Sequence, residues 1–172
     1  LSIILDAAES LRQDVHNLQI VIGANPNFQL QVPSEVSIPD HVCIENKNPR
    51  LALEAANAAI VVSGTSTVEA AIFGTPMVVV YKMNPLSWLL TRLFVKVKFA
   101  GMVNLLAGKE IVPELLQSHA TSENIHKQLL PCFTDSGHRR RVITDLQDVR
   151  ESLGGSGASQ TAAEKIVSRM IR

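Results

Sequence analysis

The sequence predicts an α/β fold, with a Rossmann-like parallel sheet followed by C-terminal helices. Helix-like and strand-like segments alternate over residues 1–81. Two strand-like segments, 59–62 and 77–81, are apolar at every position, which indicates burial on both faces of a parallel sheet. From Ser122 onward the pattern is mostly helical. An open, doubly wound domain fits these three observations.

The first elements follow from periodicity and breakers. Apolar residues at helical spacing predict a helix over residues 1–15, and a run rich in β-branched residues predicts a strand over 18–22. Three prolines make 23–40 a loop, and a short strand is predicted at 41–44. A proline in the first turn opens a predicted helix over 49–57.

The next elements surround the most informative loop. A buried strand is predicted at 59–62, a tight loop at 64–67 and a helix at 68–73. The sequence Gly74-Thr75-Pro76 ends that helix. A second buried strand follows at 77–81.

The chain is predicted to divide at residue 121. Residues 1–121 form the sheet domain, and residues 122–172 form a helical segment that packs on it or on a partner domain. A Gly/Ser break at 154–157 precedes a last helix at 160–171, so terminal helices can exchange between subunits of a homodimer. Because Leu1 enters a helical pattern without a cap, we expect an upstream part to be missing.

Composition excludes several classes of protein. Hydrophobic residues make up 46% of the 172 and charged residues 19%, which is globular rather than disordered. No stretch reaches the roughly 18 apolar residues that a transmembrane helix needs. Zero net charge with few aromatic residues argues against nucleic-acid binding. Cys43 and Cys132 lie far apart, and no Asp-x-Asp occurs, so no metal site is predicted.

Charge is unevenly distributed along the chain. Residues 70–109 contain five bases and no acid, whereas residues 1–69 contain eight acids and three bases. A basic block inside a neutral chain points to an anionic partner for that block.

The segment from Ser63 to Glu69 follows a buried strand and opens a helix. The first N–H groups of a helix lack internal partners and favour anions, and Gly64 lets the backbone approach a ligand. This pattern predicts a diphosphate site. Glu69 lies one turn further and is suited to a ribose diol. Hydroxyl donors for the diphosphate are Ser63, Thr65, Ser66 and Thr67.

The alternative interpretation of this loop is an ordinary capped helix, in which Glu69 aids the helix dipole. Neither the P-loop pattern nor the common dinucleotide fingerprint occurs, which argues against an ATPase and against an NAD enzyme.

Residues 58–71 and 74–79 together resemble the donor-domain signature of the two-domain glycosyltransferases known as GT-B. The resemblance implies that Glu69 binds the ribose of a UDP-sugar and that the 63–67 loop faces its diphosphate. It also makes Ile44 a candidate to line the uracil pocket.

Residues 102–117 narrow the family. Asn-Leu-Leu-Ala-Gly at 104–108, followed by Lys109-Glu110 and by Glu-Leu-Leu-Gln at 114–117, is similar to lipid-A-disaccharide synthases, which form glycosyltransferase family 19. An Asn here most often caps a turn, but its amide can also hold a sugar hydroxyl or a phosphate oxygen. The resemblance favours binding for Asn104, and Gln117 is a second candidate of the same kind.

An apolar helix is predicted at 86–95, in the basic block. This helix has two interpretations. It can pack in the core while its basic side chains extend to water, or it can lie in a membrane interface. Because the substrates of the resembled family are acylated sugars, the interfacial alternative is preferred. The predicted membrane-facing residues are Leu86, Trp88, Leu89, Leu90, Arg92, Leu93, Phe94, Lys96 and Lys98.

The resemblance implies a hexosyltransferase of lipid A biosynthesis. Its donor is UDP-2,3-diacylglucosamine, its acceptor is 2,3-diacylglucosamine 1-phosphate, and its products are lipid A disaccharide 1-phosphate and UDP. It needs no cofactor and no metal. The expected location is the cytoplasmic face of the inner membrane of a Gram-negative bacterium, or a mitochondrion if the source is a plant.

This part of the enzyme is expected to supply the donor-binding half. In the resembled family the general base and the acceptor site lie on the amino-terminal domain, so the 172 residues alone are expected to be inactive. Within them only Asn104 is a candidate for a catalytic role.

Two other functions stay open. One is another UDP-sugar glycosyltransferase, or a UDP-GlcNAc 2-epimerase, of the same architecture. The other is a non-enzymatic nucleotide-binding or interaction module, which UDP titration separates from the enzymes.

Overall fold

The computed structural model describes residues 1–24, 37–62, 64–84, 98–154 and 157–170. Within them, five short strands form two sheets in which every pair is parallel. The α/β fold with parallel sheets and C-terminal helices is therefore confirmed.

The strands of the two sheets have the following order. In the first sheet Ile20 lies opposite Val42, and in the second the central strand pairs with both neighbours. The first sheet contains β1 (Ile20–Gly23) and β2 (Val42–Glu45); the second contains β3 (Ala59–Val62), β4 (Met77–Tyr81) and β5 (Glu114–Leu116), in that order.

The helices lie between the strands and after them. A short 3-10 turn, Gln117–His119, follows β5. The α-helices are α1 (Ser2–Asp14), α2 (Pro49–Ala55), α3 (Thr65–Phe73), α4 (Met102–Ala107), α5 (Ser122–Leu129), α6 (Pro131–Thr134), α7 (Ser136–Ser152) and α8 (Ala158–Met170). Among the helices of these described stretches, none is both long and apolar enough to cross a bilayer.

Strand β4 lies between two hydrophobic clusters. Met77 and Val79 face a cluster to which α3, α4 and α7 contribute, through residues such as Ala71 and Leu146. Val78 and Val80 face a second cluster formed with α1 and α5. Successive side chains of a strand point to opposite faces, so helices cover both faces of the sheet. This explains why β4 is apolar at every position.

The C-terminal helices differ in how they pack. Ile125 and Leu129 of α5 are buried against the sheet, and α7 buries Leu146 in the opposite cluster. In contrast, α8 exposes Ile166 and Met170 to solvent. Helices α5 and α7 therefore pack against the three-stranded sheet, whereas Ile166 and Met170 of α8 do not.

The observed boundaries correct several predictions. Strands β3 and β4 have the predicted bounds, but α3 begins at Thr65 rather than at Val68. A helix at 102–107 and a strand at 114–116 were not predicted from the sequence. The helix predicted at 86–95 lies outside the described residues.

Candidate functional site

The carboxyl ends of β3, β4 and β5 lie side by side. Val62 is opposite Val80, and Tyr81 is opposite Leu116. The segments that follow these strands, which contain Gly64, Lys82 and Gln117, therefore leave the same edge of the sheet. In open parallel α/β sheets, ligands bind outside this edge.

Gly64 places the N-terminus of α3 at that edge. It is the N-cap of the helix, with φ of 151° and ψ of −160°, a conformation that side chains disfavour. Apart from its two chain neighbours, no described residue has an atom within 4 Å of a Cβ built on Gly64, so the space beside it is open within that part of the structure. The first turn of α3 contains no acidic residue, so its dipole is available to an anion.

The hydroxyls of the first turn of α3 have different environments. Thr65 is exposed and Ser66 is half-buried, so both lie at the surface of the edge. Thr67 is fully buried, and its Oγ1 donates to the Gly64 carbonyl oxygen at 2.8 Å. In this structure Thr67 thus closes the first helical turn, and only Thr65 and Ser66 present hydroxyls at the surface. Ser63 lies outside the described residues.

Glu69 has a charged partner that sequence reasoning missed. Its Oε1 lies 2.9 Å from Nη2 and 3.1 Å from Nε of Arg50, in α2. The Glu69 side chain is 33% exposed and that of Arg50 is 67% exposed. Such pairs contribute less than about 1 kcal/mol to stability. Both contacts use one carboxylate oxygen, so Arg50 orients Glu69, and among the described residues no donor is bonded to its Oε2.

Ile44 lies within β2, as predicted, and is 47% exposed. The next residue, Glu45, shapes the turn into α2: its Oε1 accepts from the backbone N–H groups of Lys47 and Asn48, each at 2.8 Å. Both bonds lower the pKa of Glu45, and the bond from Asn48 has the larger effect. Ile44 is therefore an exposed apolar residue directly before a hydrogen-bonded turn.

Asn104 is buried and makes four hydrogen bonds within the protein. Its Oδ1 accepts from the N–H groups of Ile111 at 2.9 Å and Val112 at 3.1 Å. Its Nδ2 donates at 2.8 Å to the Val112 carbonyl and to Glu114 Oε1. These four bonds use both polar atoms of the side chain and therefore favour the structural one of the two roles that the sequence left open. The donor-binding role of Asn104 stays a prediction.

Gln117 also binds backbone. Its Oε1 accepts from Met83 N at 2.7 Å, and its Nε2 donates to Met83 O at 3.0 Å. The 3-10 turn after β5 is thereby tied to the segment after β4. Sequence reasoning had no signal for this pair, since the residues lie 34 positions apart.

Of the predicted membrane-facing residues, only Lys98 is described. It is exposed, and its Nζ lies 5.2 Å from the centroid of the Phe99 ring. The others lie outside the described residues: Leu86, Trp88, Leu89, Leu90, Arg92, Leu93, Phe94 and Lys96.

The fold and the site define a class: an open parallel α/β domain with a glycine-capped helix N-terminus at the carboxyl edge of its sheet. A family model described as lipid-A-disaccharide synthetase matches residues 1–168. The chain belongs to that family, and the resemblance drawn from residues 58–71, 74–79 and 102–117 is confirmed.

Curated relatives give the same result. A lipid-A-disaccharide synthase of Sulfurihydrogenibium sp. (strain YO3AOP1) is 35% identical over 178 residues, covering 96% of this chain and 46% of the relative. One of Myxococcus xanthus (strain DK1622) is 32% identical over 166 residues, covering 95% and 43%. One of Syntrophus aciditrophicus (strain SB) is 42% identical over 112 residues, covering 65% and 29%. The chain thus spans less than half the length of these relatives.

Proposed function

We propose that this chain is the donor-binding part of a lipid-A-disaccharide synthase, a hexosyltransferase of lipid A biosynthesis. The observation that carries the proposal is the open, glycine-capped N-terminus of α3 at the carboxyl edge of the sheet, with Glu69 one turn further along. Family membership and the names of the relatives support the same function. The other enzymes of this architecture and the non-enzymatic module have no comparable support.

The reaction requires a stabilised leaving group. A hydroxyl of 2,3-diacylglucosamine 1-phosphate attacks the anomeric carbon of the UDP-2,3-diacylglucosamine donor, the bond from that carbon to the diphosphate oxygen breaks, and UDP leaves with its negative charge. The hydroxyl proton passes to a base outside this chain. We propose that the amides at the α3 N-terminus, with the surface hydroxyls of Thr65 and Ser66, bind the charge that develops on the diphosphate.

Glu69 is proposed to bind the ribose. Arg50 holds one carboxylate oxygen, so the other can accept from a ribose hydroxyl. Ile44 is proposed to lie against the uracil. Asn104 and Gln117 act on the donor only through the backbone they hold, and no metal or other cofactor takes part.

The remaining partners belong to the whole enzyme. They are the acylated acceptor, the amino-terminal domain, a membrane surface and, in a homodimer, a second copy of the enzyme. The proposed location is the cytoplasmic face of the inner membrane.

Titration of the 172-residue chain with UDP tests the donor site. We expect saturable binding by calorimetry for the unmodified chain. Glu69→Gln should weaken it about 10-fold or more, because a hydrogen bond to a charged group contributes about 1.5–3 kcal/mol. The matched control is Glu54→Gln, since Glu54 is an exposed carboxylate on α2, and it should change the affinity less than about twofold.

A modified ligand shows whether Glu69 acts on the ribose. With 2′-deoxy-UDP, Glu69→Gln should have a smaller effect than with UDP, because one hydroxyl partner is already gone. Absence of saturable UDP binding by the unmodified chain contradicts the proposal, and an equal effect of Glu69→Gln on both ligands contradicts the ribose role.

A further inference from the structure

Lys82 lies at the same sheet edge as Gly64. It is two residues past Val80, as Gly64 is two residues past Val62, and Val62 and Val80 are partners on adjacent strands. Adjacent strands are about 4.8 Å apart. The backbone of Lys82 is therefore within reach of the α3 N-terminus for a flexible lysine stem.

No described neighbour neutralises the charge of Lys82. Its side chain is exposed, and within the part of the chain that the structure describes it forms no ion pair. It also belongs to the block of residues 70–109, which contains no acid. Lys109 in the same block differs, because its Nζ lies 2.6 Å from Asp145.

Gln117 fixes the residue next to Lys82. Its side chain binds both the N–H and the carbonyl of Met83, which continues the contact between β4 and β5 beyond Tyr81. Gln117 has φ of +50°, in the left-handed region that a residue other than glycine seldom adopts. Backbone strain of this kind persists only where surrounding contacts hold it, and the paired bonds to Met83 are such contacts.

We infer that Lys82 supplies a cation to the diphosphate of the bound nucleotide, and that Gln117 is a positioning residue that keeps Lys82 at the sheet edge. The inference rests on the proposed function, because it places the diphosphate at the α3 N-terminus. A single positive charge beside the unpaired amides of a helix start adds attraction for a multiply charged anion, and Gln117 limits the freedom of the backbone that carries it.

Two ligands separate a phosphate contact from any other role of Lys82. In NMR titrations of the 172-residue chain, Lys82→Gln should weaken UDP binding about 10-fold but change uridine binding less than about twofold. Raising the salt concentration should reduce the difference between the unmodified chain and Lys82→Gln. Lys127→Gln is the control, because Lys127 is an exposed lysine of α5, and it should affect neither ligand.

Gln117→Gly tests the positioning role without adding backbone strain, since glycine adopts positive φ freely. We expect faster hydrogen exchange at the Met83 amide and UDP binding weakened several-fold, with uridine binding unchanged. In a Lys82→Gln background, Gln117→Gly should have little further effect on UDP affinity, because both changes act through the same charge. Ser118→Ala, an exposed neighbour, serves as the control.

The outcomes distinguish the inference from the proposed function. Equal loss of UDP and uridine binding in Lys82→Gln, or no loss of either, overturns the role of Lys82. Full additivity of the two changes, or unaltered exchange at Met83, overturns the role of Gln117. If the unmodified chain binds uridine but not UDP, both the diphosphate site and this inference fail. If it binds uridine and UDP, and Glu69→Gln weakens UDP while Lys82→Gln does not, only the inference fails.

Discussion

Replacing Asn104 by alanine tests whether this residue holds the fold or the ligand. The change removes both side-chain polar atoms and leaves three buried backbone groups without their present partner: the N–H groups of Ile111 and Val112 and the carbonyl of Val112. Glu114 retains the N–H groups of Ala100 and Gly101 as donors, so its carboxylate is not left bare.

The expected loss of stability follows from those three groups. Each buried polar group without a partner costs about 1–3 kcal/mol, and partial entry of water reduces the sum. We therefore expect Asn104→Ala to lower the free energy of unfolding by about 3–5 kcal/mol, a large fraction of the about 5–15 kcal/mol that stabilises a typical protein. With a urea m value of about 2 kcal/mol/M, the midpoint falls by roughly 2 M.

Urea unfolding followed by circular dichroism measures this loss. Two variants on the same short helix serve as comparisons. Leu105→Ala should cost less than about 1 kcal/mol, because Leu105 is half-exposed. Asn104→Asp retains an acceptor for Ile111 and Val112 but puts a carboxylate beside Glu114.

Asn104→Asp should therefore show a pH-dependent loss. Burial and the like charge raise the folded-state pKa of the new carboxyl above its unfolded value. The penalty is then present at neutral pH and declines as the pH falls toward the unfolded pKa of about 3.9. A cost below about 1 kcal/mol for Asn104→Ala, together with loss of UDP binding, would refute the structural role and restore the ligand role.

Two further changes test the local geometry. Gly74 ends α3 with φ of +71°, so Gly74→Ala should lower the free energy of unfolding by about 1 kcal/mol in urea, and a neutral or stabilising result would contradict that conformation. Asp135 caps α7 by accepting from the His138 N–H at 2.9 Å, a bond that lowers its pKa below the usual 3.8. Its ionised form therefore contributes stability that is present above about pH 3.8 and is lost as the pH falls below it. Asp135→Asn keeps a capping oxygen but does not titrate, so its free energy of unfolding should depend less on pH in that range. If the free energy of unfolding of Asp135→Asn falls at low pH as steeply as that of the unmodified chain, the capping role of ionised Asp135 is contradicted.

Continuous apolar runs made the central strands predictable. Residues 59–62 and 77–81 have the bounds that the sequence indicated. Burial on both faces explains the signal for 77–81, whereas 59–62 is only partly buried and ends at the exposed Val62. The start of α3 was misplaced by three residues because Ser and Thr favour caps and turns over helix interiors. Thr67 overrides that preference by binding the Gly64 carbonyl within the first turn.

Elements defined by distant partners were not predictable. Strand β5 has three residues, begins with a charged one and is a strand only because it pairs with β4. Arg50 and Glu69 are 19 positions apart, and nothing near either residue indicates the pairing. Such contacts depend on how strands and helices are arranged in space, which local periodicity does not specify.

The family was identified from the segment 102–117. The side chains of Asn104 and Glu114 in this segment hold backbone groups and do not line the open edge of the sheet. Asn104 and Glu114 bind each other and the backbone at 100–101 and 111–112. Gly101 permits this arrangement, since a Cβ there would lie 3.1 Å from Glu114 Oε1. Asn104 and Glu114 thus hold the backbone at 100–101 and 111–112, while Gln117 holds Met83, the residue after Lys82. A sequence pattern typical of a family can therefore consist partly of residues that position the backbone, here at 100–101 and 111–112 through Asn104 and Glu114 and at Met83 through Gln117.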